Sequence, residues 1–475
     1  MTEIHHTITS HFSSLNKAQK SAVGAIEGPL LIIAGPGSGK TLVLVARTLN
    51  LLQRGAAQPQ EIVLCTFTEK AAFELRDRVA QGARAVGYTG DLSRLQVGTI
   101  HGLCHQYLNK YRHHTTLGHG FEVLDELTQS LFLYENFDAI IGEADASGLY
   151  LGKWKTTWST IEGIHEFFDK ITEELVDPQK LVKSRTPLIA AIGAAYIRYE
   201  TCLQARNILD FAHIQKQFAR LLEDPGVAEK IQAEARYVMV DEYQDTNFIQ
   251  EQLLMRLALP QNNLCVVGDD DQSLYRFRGA TVRNILEFGE YFPKCPQVKL
   301  TVNYRSHQDI VAAYDKYMAA FDWSNPDASK GRAPFRHDKT IKPNPAGDHA
   351  DYPAVLSIWG ASEADEADRL ADLVGFLKKN KVIEDYNQVA VLLRSVRSEK
   401  SAPYIEALER HGIPAFAPRA RAYFENEPVR WIVACFAILL GWYGDQRGEL
   451  KGPALEELGK YVEEYYRCGR RQLYY

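Results

Sequence analysis

The chain has 475 residues, enough for about three domains, and its 45% hydrophobic and 24% charged content is ordinary for a soluble globular protein. A net charge of −6 excludes a uniformly basic surface, so any contact with nucleic acid must use a local groove. The seven scattered cysteines are odd in number and form no C-x-x-C pair, which argues against a disulfide framework or a zinc knuckle. Because the sequence shows no secretory leader and no apolar run of about 18 residues, we expect a cytoplasmic protein that spans no membrane.

The first strongly patterned segment is an apolar run followed by a glycine-rich turn. Leu30–Ala34 predicts a buried strand, residues 35–41 read G-P-G-S-G-K-T, and helical periodicity begins at Leu42. A strand, a glycine-rich turn and a helix in this order are typical of a phosphate-binding P-loop, in which backbone N–H groups and the helix N-terminus hold phosphates. Alanine replaces the first glycine of the usual pattern. We therefore predict binding of ATP or GTP.

The nucleotide-binding residues are expected to be Ala34, Gly35, Pro36, Gly37, Ser38, Gly39, Lys40 and Thr41. Within this set, Lys40 would reach the β- and γ-phosphates, and the Thr41 hydroxyl would bind Mg²⁺.

The following sequence alternates short apolar runs with helical patterns. Further strands are predicted at residues 62–67, 95–98, 237–241, 264–268 and 298–301, which favours a parallel sheet covered by helices. Between residues 101 and about 206 helical periodicity replaces this alternation, so we expect a helical domain inserted into the sheet domain.

The C-terminal third begins with a polar segment. Residues 325–352 are rich in Pro, Asn, Asp, Lys and His, which predicts a long exposed loop. Beyond it, strands are predicted at residues 355–359, 389–393 and 413–416 and helices at 362–379 and 401–411, which together indicate a second, smaller α/β unit. A helical pattern begins again at Glu427.

Polar residues follow two of the predicted strands, where ligands bind at the carboxyl edge of a parallel sheet. Asp241 ends one strand and is expected to bind Mg²⁺, and Glu242 is expected to deprotonate the attacking water. Gln272 follows the strand at 264–268 and could sense the γ-phosphate or position that water. Either set of residues alone could be a solvated strand end; the P-loop upstream favours the catalytic interpretation.

Seven segments, in order, resemble the motifs of UvrD/Rep/PcrA-type superfamily 1 DNA helicases. They lie at residues 15–19, 34–41, 65–78, 97–101, 241–247, 268–280 and 300–306. The resemblance extends from about residue 12 to about residue 440. It implies a RecA-like P-loop NTPase sheet with a helical insertion, a partial second RecA-like domain, and ATP-dependent movement from 3′ to 5′ along single-stranded DNA.

The resemblance also implies roles for further residues. Gln19 would bind the adenine edge, Tyr304 would stack on the base, and Arg305 would act as an arginine finger on the γ-phosphate. The implied contacts to single-stranded DNA are Thr66, Phe67, Thr99, His101, Tyr275 and Phe277. Phe277 stands where the family usually has Trp.

Two family motifs, a Gly-Leu-Glu loop and an Ala-Leu-Thr-Arg segment with a second catalytic arginine, are not found in residues 389–475. The expected domains are residues 1–105 with 206–298, an insertion at 106–205, a partial second motor domain at 299–425, and the start of a second insertion at 426–475. Three explanations stay open: a fragment of a longer helicase, a half completed by a partner protein, or a copy that binds ATP without unwinding. The alternative function is a regulatory or loading subunit of a DNA-repair or phage-defence complex.

Overall fold

The computed structural model describes residues 3–118, 120–274, 281–326, 334–347, 353–396 and 398–417, and the helical residues Val429 and Ile432. The chain divides into two compact units, residues 1–354 and 355–475. Among the described residues, no helix has both the length and the apolar character that a membrane crossing requires.

The strands are β1 Leu30–Ala34, β2 Ile62–Thr66, β3 Gln96–Thr99, β4 Glu122–Leu124, β5 Ile208–Asp210, β6 Tyr237–Val240, β7 Leu264–Gly268, β8 Gln297–Leu300, β9 Val302–Asn303 and β10 Lys342–Pro343. The helices of the first unit are α1 His6–His11, α2 Lys17–Gly24, α3 Lys40–Gln53, α4 Glu69–Ala85, α5 Ile100–Lys110, α6 Glu126–Glu135, α7 Phe137–Ile140, α8 Thr157–Glu173, α9 Pro178–Val182, α10 Pro187–Arg206, α11 Phe211–Leu221, α12 Pro225–Glu234, α13 Phe248–Leu257, α14 Arg283–Leu286, α15 Phe288–Tyr291 and α16 Gln308–Ala319. The second unit contains α17 Glu363–Lys379 and α18 Ser398–Arg410.

Six strands of the first unit form a parallel sheet in the order β3-β2-β6-β7-β1-β8. Every residue of β1, β2, β6 and β7 is buried, because hydrophobic clusters pack on both faces of the sheet. Continuous apolar runs are typical of such doubly covered strands. All six predicted strands are confirmed, each within one residue of its predicted ends.

The helical insertion has its own core. Helices α6, α8 and α10 surround a buried cluster that includes Phe168, Tyr196 and Tyr199. The short parallel pair β4 and β5 lies at the two ends of this segment, with Glu122 opposite Ile208. The chain therefore leaves the sheet domain and returns to it at neighbouring points. The numerical domain boundaries given above stay predictions.

The prediction of an exposed loop over residues 325–352 is confirmed only in part across its described residues, 325–326 and 334–347, because half of residues 334–347 are exposed and the others are at least partly buried. There β10 pairs in parallel with β9, and Lys339 and Ile341 are buried. Polar composition predicts exposure, but it cannot reveal a buried ion pair or a short strand whose partner lies about 40 residues away.

The second unit, residues 355–475, is described through residue 417 apart from residue 397. Helices α17 and α18 pack through Ala367, Ala371, Val374, Ala407 and Leu408, which confirms both predicted helices within about three residues at each end. Across residues 355–396 and 398–417 no strand forms, so the three strand predictions are wrong. Leu392 and Phe416 are more than nine-tenths exposed. Within the part of the chain that the structure describes, these apolar segments have no neighbouring strand with which to form a ladder. The helix predicted from Glu427 lies outside the described residues, apart from Val429 and Ile432.

Candidate nucleotide and nucleic-acid site

The turn after β1 has the geometry of a phosphate-binding loop. Gly37 and Gly39 adopt φ angles of 66° and 86°, a left-handed region that a residue with a Cβ atom enters at a cost. The Ser38 hydroxyl donates to the Gly35 carbonyl at 2.6 Å and closes the turn. Helix α3 begins at Lys40, so its free N–H groups and its positive dipole end lie at this turn.

The predicted catalytic and metal-binding residues converge on this turn. Lys40 Nζ donates to Glu242 Oε2 at 2.6 Å, and the Thr41 side chain lies close to Asp241. Burial, reinforced by the Glu242 charge, raises the pKa of Asp241 to about 6. Glu242 has φ of 52°, a strained conformation for a residue that is not glycine. The sheet thus brings together residues that are 200 positions apart in sequence.

The predicted adenine-binding residues lie on the other side of the turn. Gln19 Nε2 donates to the Ser38 carbonyl at 3.0 Å, and Gln19 Oε1 accepts the Asn16 N–H at 2.9 Å. Both groups of the Gln19 amide therefore already have protein partners, although each can make one further hydrogen bond. The Tyr304 N–H donates to the Gly37 carbonyl at 2.9 Å, and its ring is half-exposed.

Arg305 lies beside the same turn. A Cβ atom on Gly37 would lie 2.9 Å from Arg305 Cβ and 2.7 Å from Asn303 Oδ1, so the glycine permits this close approach. The Asn303 carboxamide oxygen accepts the N–H groups of Arg305 and Ser306, both at 2.8 Å, and this fixes the local backbone. The Arg305 residue is exposed.

Gln272 is connected to Glu242, the predicted base, through two further residues. Gln272 Nε2 donates to Asp269 Oδ2 at 2.5 Å, and the Asp269 N–H donates to Gln244 Oε1 at 3.0 Å. Gln244 Nε2 donates to Glu242 Oε2 at 2.8 Å. Gln244 is buried and was not selected from the sequence, although it lies two residues after Glu242.

Four of the six predicted DNA contacts line one cavity of about 610 Å³ that also reaches Asp241 and Glu242. These four are Thr66, Phe67, Thr99 and His101. The other two, Tyr275 and Phe277, lie outside the described residues. The cavity lies between the carboxyl edge of the sheet and α8 of the insertion, so it touches the nucleotide site directly.

Two of the cavity residues have internal roles that affect how they could bind DNA. The Thr99 hydroxyl donates to Glu69 Oε1 at 2.8 Å and caps α5 by accepting the Gly102 N–H. Burial lowers the pKa of His101 to about 4, so its ring is neutral at pH 7, and Gln215 Nε2 lies 2.8 Å from its Nε2 atom. His101 would therefore offer a hydrogen bond, not a positive charge, to a phosphate.

The cavity is also lined by residues that the sequence motifs did not predict. The Phe211 ring is half-exposed and lies edge-on to His101, with 5.9 Å between ring centroids. Asp245 is buried, and burial together with the Glu242 charge raises the pKa of Asp245 to about 7. Phe211 follows a three-residue strand after a long helix, and nothing in the local pattern marks it as part of this cavity.

Comparison with known proteins agrees with this geometry. The family model for the UvrD/REP helicase N-terminal domain matches residues 15–293, and the model for the UvrD-like helicase C-terminal domain matches residues 298–441. The chain belongs to the UvrD/Rep helicase family. The candidate nucleotide site is formed by the turn after β1, the residues after β6 and β7, and the segment after β9.

Individual UvrD-type relatives are similar over most of this chain. It is 32% identical over 443 residues to the ATP-dependent DNA helicase UvrD1 of Mycobacterium tuberculosis, covering 90% of this chain and 52% of that protein. It is 31% identical over 432 residues to DNA helicase II of Rickettsia typhi, covering 90% of this chain and 60% of that protein. The chain thus spans between about half and three-fifths of the length of these UvrD-type relatives.

Proposed function

We propose that this chain is the ATP-hydrolysing part of a UvrD-type DNA translocase that moves from 3′ to 5′ along single-stranded DNA. The observation that carries the proposal is the convergence of Lys40, Thr41, Asp241 and Glu242 at the carboxyl edge of one parallel sheet. A cavity lined by Thr66, Phe67 and Thr99 opens beside these groups, which supports coupling between nucleotide and DNA.

The ion pair between Lys40 and Glu242 suggests how ATP would start the cycle. The P-loop N–H groups would bind the phosphates, and Lys40 would leave Glu242 for the β- and γ-phosphates. Glu242 would keep its hydrogen bond from Gln244 and could then accept a proton from the attacking water. Glu242 would thus become available as a base only after Lys40 has moved to the phosphates of a bound triphosphate.

The donor atoms present fit Mg²⁺. Thr41 offers a hydroxyl oxygen and Asp241 a carboxylate oxygen, and the two side chains lie close to each other. Mg²⁺ prefers such hard oxygen ligands and usually keeps several waters. A bound Mg²⁺ would neutralise charge on the phosphate oxygens.

Tyr304 and Arg305 would complete the nucleotide site. Tyr304 is hydrogen-bonded to the P-loop at Gly37, which supports stacking of its exposed ring on the adenine base. Arg305 lies next to the same glycine and is exposed, so its guanidinium could reach the γ-phosphate. Gln19 would add a hydrogen bond to the adenine edge.

The DNA strand would lie across the cavity beside the nucleotide. Phe67 and Phe211 offer aromatic faces for stacking bases, a mode that tolerates any sequence. Thr66 and neutral His101 would bind phosphate oxygens by hydrogen bonds, so this part of the contact would depend only weakly on salt.

The test is ATP hydrolysis by the 475-residue chain with and without single-stranded DNA. Lys40→Ala should abolish turnover, and Glu242→Gln should retain ATP binding while turnover falls about a hundredfold or more, the scale of a lost general base. The matched controls are Lys230→Ala and Glu229→Gln, because both residues are exposed on α12, outside the nucleotide site. Normal turnover in Lys40→Ala would contradict the proposal.

The second candidate is a regulatory or loading subunit of a DNA-repair or phage-defence complex. ATP binding without DNA-stimulated turnover would support this candidate. Turnover that appears only with a second polypeptide would support a motor completed by a partner. A cytoplasmic location is part of the proposal, and membership of a DNA helicase family supports it.

A further inference from the structure

Three consecutive aspartates after β7 surround one lysine from a distant segment. Lys339 Nζ lies 2.7 Å from Asp269 Oδ1 and 3.3 Å from Asp271 Oδ2, and it also donates to Asp270 Oδ1. All four side chains are at most 2% exposed. The cluster is therefore a dry ionic site, which we call the Lys339 cluster: Lys339, Asp269, Asp270 and Asp271.

The positive charge of Lys339 compensates the three buried carboxylates. The three carboxylates offer oxygens within 4.8 Å of one another, a spacing at which a metal ion could bind, and the Lys339 ammonium lies within hydrogen-bond or ion-pair distance of all three. Burial by itself lowers the pKa of Lys339, but the three carboxylates outweigh that effect and raise it. Buried carboxylates without a cation would be strongly unfavourable.

A second cation supports only one member of the cluster. Arg336 Nε and Nη2 donate to the two oxygens of Asp271 at 2.8 and 3.1 Å. Among the described residues, Lys339 is the only cationic side chain that contacts Asp269.

Asp269 also hydrogen-bonds to residues of the nucleotide site. Its carboxylate accepts from Gln272 and its N–H donates to Gln244, which in turn donates to Glu242. Because Glu242 accepts from Lys40, an unbroken series of hydrogen bonds joins Lys339 to the P-loop lysine. The same amide that would sense the γ-phosphate is thus held by the carboxylate that Lys339 neutralises.

The segment that carries Lys339 is tied to the rest of the site as well. Two residues later, Ile341 packs against Gly35 of the P-loop. The Lys342 N–H then donates to the Thr301 carbonyl at 2.8 Å, and β10 pairs with β9, immediately before Tyr304. Lys339 therefore lies where the residues after β7, the P-loop and the segment of Arg305 meet.

We propose that Lys339 is a positioning residue for ATP hydrolysis: it holds Asp269 so that Gln272 and Gln244 are aligned with the γ-phosphate and Glu242. When Gln272 leaves Asp269 to contact the γ-phosphate, Lys339 keeps the uncovered carboxylate compensated. This inference rests on the proposed ATPase function. Lys339 lies outside the family motifs quoted above, and the inference gives it a role in the chemical step.

The experiment compares Lys339→Met with Lys342→Met. Lys342 is a matched control, because it carries the same side chain three residues away and is exposed. In Lys339→Met, kcat should fall about tenfold while the KM for ATP changes less than about threefold, since the residue does not touch the nucleotide. Lys342→Met should behave like the unmodified chain. A folded Lys339→Met variant with unchanged kcat would overturn the inference.

A double-mutant cycle with Gln272 separates positioning from general stability. If Lys339 acts through this amide, Lys339→Met should lower kcat much less in a Gln272→Ala background than alone. Full, independent losses would show a merely structural role and would overturn the inference. If Lys339→Met does not fold, the double variant Lys339→Gln/Asp270→Asn replaces it in the same double-mutant cycle. The amide introduced by Lys339→Gln would still donate a hydrogen bond to Asp269, and the Asp270→Asn change removes one negative charge to offset the lost lysine.

If the unmodified chain does not hydrolyse ATP, that result counts against the proposed function but not against the role of Lys339. A binding measurement then tests the role of Lys339. Gln272 can distinguish ATP from ADP only by contacting the γ-phosphate. We expect the preference for a non-hydrolysable ATP analogue over ADP to fall several-fold in both Lys339→Met and Gln272→Ala, by titration calorimetry. A preserved preference in folded Lys339→Met, with a reduced one in Gln272→Ala, would overturn the inference.

Discussion

Replacing Gln244 with leucine should loosen the connection between the residues after β6 and β7 without touching the nucleotide directly. The wild-type amide makes a partly buried hydrogen bond to Glu242 Oε2 at 2.8 Å and accepts a buried one from the Asp269 N–H at 3.0 Å. Leucine has a similar volume but can make neither. The change therefore removes polar contacts and leaves the packing nearly intact.

The two bonds differ in energy. A hydrogen bond to a charged group contributes about 1.5–3 kcal/mol, and a buried N–H left without a partner costs about 1–3 kcal/mol. The local structure around Asp269 should thus lose roughly 2–5 kcal/mol, allowing for relaxation of the site. At 1.4 kcal/mol per factor of ten, amide exchange at Asp269 should accelerate by at least about tenfold.

Hydrogen exchange followed by mass spectrometry is the appropriate assay, because a chain of two compact units need not unfold in one step. The peptide spanning β7 and Gln272 reports on the Asp269 N–H. Single-turnover ATP hydrolysis should also slow, since Glu242 would lose the partner that remains after Lys40 departs. Gln232→Leu is the control, because Gln232 also donates from a partly buried position, to the Arg256 carbonyl at 2.8 Å, but lies on α12 away from the site. Unchanged exchange and unchanged turnover in Gln244→Leu would refute this reasoning.

Two further predictions concern backbone geometry and pH. Gly37→Ala should reduce the affinity for ATP at least about tenfold, because the residue needs φ of 66° and its Cβ atom would lie 2.9 Å from Arg305 Cβ. Equilibrium titration with a fluorescent ATP analogue tests this prediction. Unimpaired binding would contradict it. Burial alone lowers the pKa of His213, but Asp210 at 2.8 Å and Glu200 at 3.4 Å raise it to about 9. The pKa is raised on folding, so the stabilisation is complete below the unfolded value of about 6.5 and disappears as pH rises through 9. The melting temperature of the unmodified chain should thus fall more between pH 6.5 and 9.5 than that of His213→Gln, and equal pH profiles would show that the ion pairs add nothing.

Local patterns determined much of the nucleotide site. The five apolar residues of β1, the glycines after it and the start of α3 are contiguous, so their order alone predicts the phosphate-binding turn. The six sheet strands were predictable for a related reason, since strands buried on both faces are nearly continuous apolar runs. Strand ends followed by Asp241, Glu242 and Gln272 then pointed to the edge where ligands bind.

The same patterns failed where the surroundings, not the local sequence, decide the structure. The apolar runs near Val355 and Leu392 have the composition of strands but no neighbouring strand among the described residues, and they are exposed. A strand is a pairing between segments, so composition alone cannot establish it.

The sequence by itself determined the family, the turn that would hold ATP and the edge of the sheet where hydrolysis would occur, because short contiguous patterns encode all three. Only the tertiary structure showed that Lys40 pairs with Glu242, that Gln244 joins Glu242 to Asp269, and that Lys339 neutralises three buried aspartates. These contacts join residues up to about 200 positions apart. A charged residue in a polar segment looks solvated until the fold places its partners around it, since burial and pairing depend on the whole chain.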